Sequence, residues 1–158
     1  MPIRLLIRCT MKCTYVMVFL SLAAAVTAQQ LDSKIQIGDH KLHLVCMGKG
    51  SPTVVFEAGM GDGGSVWNGV QQKIAETTRA CSYDRAGVGS SDPASNLPRG
   101  GEAITAELHL LLANAGIPPP YVLVGHSVGG IFVRLFASRY PREVVGMVLL
   151  LSSLKHRG

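Results

Sequence analysis

The sequence Gly125-His126-Ser127-Val128-Gly129 sets a serine between two glycines, each two positions away. That spacing suits a turn so sharp that a Cβ at either glycine would strike the neighbouring strand or helix, and it lifts the serine hydroxyl clear of the backbone. A hydroxyl held this way can attack an acyl carbon, and free N–H groups at the start of a following helix can stabilise the negative charge that develops. An idle serine in a glycine-rich turn has the same spacing. The flanks favour the nucleophile, because the apolar run 121–124 precedes the motif directly and an apolar helical pattern begins near Gly130.

Two further loops carry candidate chemistry. Phe56-Glu57-Ala58-Gly59-Met60-Gly61-Asp62-Gly63-Gly64 leaves an apolar run and enters a helical pattern near Val66, so its backbone N–H groups can cradle an anion. It lacks the lysine of a phosphate-binding loop and the ribose-binding acid of a dinucleotide site, so a second donor to an oxyanion fits better than a nucleotide cofactor. In residues 83–92, Tyr-Asp-Arg-Ala-Gly-Val-Gly-Ser-Ser-Asp, a strand ends in a polar, glycine-punctuated loop. Asp84 is expected to accept backbone N–H bonds there and Arg85 to pair locally.

The elements that must position these loops alternate. Residues 41–46 alternate weakly, while 53–56, 121–124 and 144–151 are short apolar runs, as in strands buried on both faces. Between them, Val66, Trp67, Val70 and Ile74 share one helical face, Ile104, Leu108, Leu111, Leu112 and Ala115 a second, and Ile131, Phe132, Leu135 and Phe136 a third. Gly116 and Pro118 stop the second helix, and Pro141 follows the third. Alternation of this kind predicts the α/β class, a mostly parallel sheet with helices on both faces.

Of the 158 residues 47% are hydrophobic and 16% charged, which excludes a mainly disordered chain. The formal charge of +5 is concentrated early: setting aside Arg4, Arg8 and Lys12 leaves 12 basic against 10 acidic residues. No basic run with interleaved aromatics remains, so no nucleic-acid partner is expected. The apolar stretch 15–25, preceded by basic residues and followed by Val26-Thr27-Ala28, reads as a secretory signal peptide over residues 1–28, cleaved near Ala28. The run is too short for a membrane-spanning helix, so no membrane association is expected after cleavage, and the product would reside in a bacterial periplasm or outside the cell. Cys46 and Cys81 then remain as an even pair, open to a disulfide or to two buried thiols. His40, His43 and His109 fit surface or satisfied histidines, and no metal-ligand spacing links them.

Together the loop 57–64, residues 83–92, Pro120 to Gly130 and Tyr140-Pro141 resemble the N-terminal part of an α/β-hydrolase fold enzyme, of the exported serine-hydrolase kind. The resemblance implies Ser127 as nucleophile and the backbone N–H groups of Met60 and Val128 as the oxyanion hole. It makes His126 a packing neighbour of the nucleophile, and implies a small-molecule acyl substrate (ester, amide or related) with no cofactor. Serine at the elbow sets the chain apart from the haloalkane and epoxide branches, which use aspartate there. Many relatives have His-Gly where this chain has Ala58-Gly59, a change that leaves a backbone donor in place. The family's strand order brings the strand ending at Cys46 beside that containing Cys81, which favours a disulfide.

In that family the triad acid and histidine follow later strands. Residues 144–151 would form the sixth strand, so residues 29–158 are expected to be an incomplete α/β-hydrolase domain without the acid and base. A substitute set of Ser127, Glu143 and His156 has the right chain order, but Glu143 follows Pro141 at the wrong end of its strand. The alternative function is a catalytically inactive remnant or binding protein that keeps the scaffold. An uncovered sheet edge would also favour self-association.

Overall fold

The computed structural model describes residues 30–95 and 99–151. The signal-peptide segment and His156 lie outside the described residues. Six strands form one sheet in the order β1-β2-β4-β3-β5-β6: β1 (Leu31–Ile37), β2 (His40–Met47), β3 (Thr53–Glu57), β4 (Ala80–Tyr83), β5 (Tyr121–His126) and β6 (Val144–Leu150). β1 and β2 form an antiparallel hairpin, β2 pairs antiparallel with β4, and the remaining pairings are parallel. The crossovers that parallel pairing demands are α1 (Asn68–Ala75), α2 (Gly101–Asn114) and α3 (Gly129–Arg139). This is the α/β arrangement expected from the alternating pattern, a mostly parallel sheet with helices on both faces.

The core divides across the sheet. Along β3, Val55 joins a cluster with Leu108, Leu111, Leu112, Val133 and Phe136 from α2 and α3, whereas Phe56 joins Trp67, with Ile74 of α1 packed alongside. Opposite-facing neighbours on one strand therefore bury against different helices, which is why residues 53–56 read as an unbroken apolar run. The helix α2 buries Leu108, Leu111 and Leu112 as its spacing predicts, and Gly116 at φ 68° supplies the left-handed residue after its last turn.

Three expectations are corrected. Trp67 is buried as expected, but Val66 and Val70 are exposed and Gln71 shares the buried face, because a 3₁₀ turn (Gly64–Trp67) precedes α1 and resets the helical phase. Gln71 is tolerated inside because its amide donates to the Val45 and Ala80 carbonyls at 2.8 and 3.0 Å and accepts from Ser82 Oγ at 2.7 Å. On α3, Ile131 faces solvent and Val133 takes its place in the core. Finally, β6 is not buried on both faces: it pairs with β5 and with no second strand among the described residues, so Val145, Met147, Val148, Leu149 and Leu150 lie open. The hairpin strand β1 went unread, since Leu31, Ile35 and Ile37 alternate with a polar Ser33 in the series.

Cys46 and Cys81 sit directly opposite in the β2/β4 register and are joined by a disulfide that closes 35 residues of chain.

Candidate active site

The neighbours β3 and β5 run parallel, yet the chain leaving β3 packs α1 on one face and the chain leaving β5 packs α3 on the other. Their carboxyl ends therefore meet at a switch point of the topology, the place where ligands bind in open α/β sheets. Ser127 stands at the end of β5, and the loop 58–63 leaves the end of β3.

Ser127 has φ 55°, the only positive φ among the described non-glycine residues. Both flanking glycines are dictated by contact. A Cβ at Gly125 would lie 2.7 Å from the Gly129 carbonyl oxygen, and one at Gly129 would lie 2.6 Å from the carbonyl oxygens of both Glu57 and Ala58. The elbow is further pinned by the Ser127 N–H, which donates to Leu150 of β6 at 2.9 Å, and by the Ser127 carbonyl, which accepts from Gly130 at 3.0 Å. A left-handed serine costs roughly 1–2 kcal/mol, only part of which returns as the entropy cost of a glycine. Ser127→Gly is therefore expected to stabilise the fold by about 0.5–1 kcal/mol, read as a higher urea midpoint at unchanged slope.

The opposite wall is the loop after β3, and a buried ion pair shapes it. Glu57 is fully buried, takes a hydrogen bond from the Tyr83 hydroxyl and pairs with Arg85. Arg85 also donates to the carbonyls of Ala58 at 2.8 Å, of Gly59, and of Asp62 at 3.3 Å, and its guanidinium lies 5.8 Å from the Phe132 ring centre on α3. Burial pushes the Glu57 carboxyl up from its ordinary value, opposed by the Tyr83 hydrogen bond and the Arg85 charge. Burial, followed by the Glu57 charge, holds the Tyr83 phenol well above its usual value, so it remains a donor. Gly59 itself is pinched: a Cβ there would lie 3.0 Å from both Asp62 Oδ2 and His126 Nδ1. His126 thus packs against the loop.

The Met60 side chain is 78% exposed, and among the described residues neither its N–H nor that of Val128 donates to another group of the chain. These are two free backbone donors, from different elements, beside the elbow.

Asp84 accepts the Gly64 and Ser90 N–H groups at 2.7 and 2.8 Å, the loop-holding part expected of it. Arg85 departs from expectation, because its partner Glu57 is 28 residues away rather than local. Glu57 was missed. The signal available was an acid closing an otherwise apolar strand, which must find a counter-charge when both faces are covered.

The remaining titratable groups lie elsewhere. The Glu143 carbonyl pairs with the N–H of Tyr121, at the start of β5, and its carboxylate meets His109 Nε2 at 3.1 Å. Six residue steps along the strand, roughly 20 Å, separate that level from the elbow, so Glu143 does not serve Ser127. His109 stacks on Tyr140 at 3.9 Å, His40 contacts Asp39, and the His43 ring lies between Asp32 and Asp84. Among the described residues the Ser127 hydroxyl has no hydrogen-bond partner, and no group of three or more His, Cys, Asp or Glu is arranged for a metal.

Residues 52–157 match the family model described as alpha/beta hydrolase fold. The chain is 37% identical over 103 residues to the uncharacterized protein YqjL of Bacillus subtilis, covering 65% of this chain and 40% of that protein. It is 33% identical over 103 residues to the putative carbamate hydrolase RutD of Cronobacter turicensis, covering 64% of this chain and 38% of that protein. A putative lipase from Acinetobacter baumannii superposes with TM-score 0.71 at 21% identity, over 81% of this chain and 44% of that one. The chain therefore spans less than half the length of these relatives.

Proposed function

The chain belongs to the alpha/beta hydrolase fold family, and on that premise we propose that it is the N-terminal part of an exported serine hydrolase acting on an ester, amide or related acyl compound. In this reading Ser127 Oγ attacks the acyl carbon while its proton passes to a histidine. The Met60 and Val128 N–H groups hold the oxyanion. Collapse of the tetrahedral adduct breaks the acyl bond and expels the alcohol or amine, leaving an acyl-enzyme that water then cleaves. The histidine and its acid come from outside the described residues. Serine rather than aspartate at residue 127 is what argues for acyl transfer over the epoxide and haloalkane chemistries found on this fold.

The observation that carries the reading is the left-handed Ser127 at the head of α3 beside two free backbone donors. Export rests on the apolar leader segment and agrees with the Cys46–Cys81 disulfide, a bond that persists in oxidising compartments. The open apolar face of β6 supports self-association of this polypeptide.

A fluorophosphonate probe tests the mechanism on the purified chain and on Ser127→Ala, each first checked for folding by circular dichroism. Labelling of the parent and not of the variant is the result that supports the reading, and it requires a histidine from outside the described residues to reach Ser127. A folded parent that fails to label removes the activity from this polypeptide and favours the second reading, a non-catalytic scaffold.

A further inference from the structure

We propose that Arg85 is the positioning residue that aims the Met60 N–H at the nucleophile, an inference that rests on the hydrolase reading of Ser127. A peptide group is planar and trans, so its C=O and N–H point in opposite directions. The Met60 N–H belongs to the same peptide group as the Gly59 carbonyl. Arg85 Nη2 donates to that carbonyl from the buried side of the loop. With the carbonyl drawn inward, the N–H is turned outward, toward the end of β5 where Ser127 stands. The Asp62 N–H also reaches the Gly59 carbonyl, at 3.3 Å, a longer contact made within the loop itself.

Val128 follows the same rule by a different route. The N–H of Val128 shares its peptide with the Ser127 carbonyl, which accepts from Gly130 at 3.0 Å. One oxyanion donor is thus aimed by helix geometry and the other by a guanidinium. Arg85 suits that task because its planar fork spans several acceptors: Glu57, the carbonyls of Ala58 and Gly59, and, at longer range, that of Asp62. Glu57 fixes the fork in turn, and the Phe132 ring ties it to α3, whose N-cap is Val128. A donor on the carbonyl also polarises the peptide and strengthens its N–H as a donor.

The test follows the Met60 N–H vector directly. Backbone residual dipolar couplings are measured on the full chain, on Arg85→Lys, which keeps the charge but not the fork, and on E57Q/R85M, which removes both buried charges. The expected result is a parent coupling that points the Met60 N–H out of the loop. Its value should change in both variants while couplings in β3, β5 and α3 hold, and the rate of fluorophosphonate labelling should fall by about 10²-fold, the usual cost of one oxyanion donor. A purely structural Arg85 would lower stability without rotating this one peptide. A parent Met60 N–H directed inward overturns the proposal without any variant, as does an unchanged coupling in a folded variant. If the parent does not label at all, the hydrolase reading of this polypeptide fails, while the couplings still decide what Arg85 does.

Discussion

Replacing Arg85 by methionine is expected to lower stability by about 3–5 kcal/mol at neutral pH, because it strands the fully buried Glu57 carboxylate without its counter-charge. The loss should be largely recovered in E57Q/R85M, since removing both charges also removes the cost of burying them, and the Tyr83 hydroxyl keeps an acceptor at residue 57. Denaturant melts of parent, single and paired variants read this as a double-mutant comparison.

The pH dependence has a defined sign. Burial already raises the Glu57 carboxyl above its ordinary value with Arg85 in place, and without Arg85 the opposing charge is gone. A folded state that holds its proton more tightly than the unfolded chain is favoured as pH falls. Arg85→Met should therefore regain stability on acidification, in full below the unfolded carboxylate value, and lose it as pH rises through the folded one. A single variant as stable as the parent at pH 7, or one whose deficit grows in acid, would mean that the ion pair does not hold this loop.

Gly129→Ala should cost about 3 kcal/mol, at the upper end of the overpacking range, and should lower labelling at Ser127 as well. The added Cβ would lie 2.6 Å from the carbonyl oxygens of Glu57 and Ala58, and both are backbone atoms that cannot swing aside. Relief requires α3 to move away from the loop after β3, which draws the Met60 and Val128 N–H groups apart. The adjacent Gly130→Ala supplies the comparison: its nearest neighbour is Leu149 Cδ2 at 3.5 Å, an ordinary contact, so it should be neutral or mildly stabilising in a helix. Equal destabilisation by the two substitutions would show that general loss of glycine, not the close approach of α3 to β3, governs this turn.

Much of the site was legible because its constraints are local. Gly125 answers to a steric limit within a few residues of Ser127, the Gly129 carbonyl oxygen, and Gly116 ends α2 through its own left-handed backbone, whereas Gly129 answers to the Glu57 and Ala58 carbonyls of the distant β3 loop. Asp84 holds Ser90 within its own loop as that context suggested, and also Gly64, 20 residues away. Phase within the helices was less legible. The 3₁₀ turn before α1 keeps Trp67 inside but turns Val66 and Val70 out and Gln71 in, and no apolar count can anticipate a glutamine held inside by three hydrogen bonds.

By itself, then, the sequence determined the alternation of strands and helices, the strained serine between them and the α/β class, since each depends on side-chain periodicity or on backbone sterics over a handful of residues. Tertiary structure decided that β3 lies beside β5 with their helices on opposite faces, that Cys46 meets Cys81, and that Glu57 meets Arg85 across 28 residues of chain. These contacts form only when strands distant in sequence pair, and a buried charge finds its partner by proximity in the sheet, not by spacing along the chain.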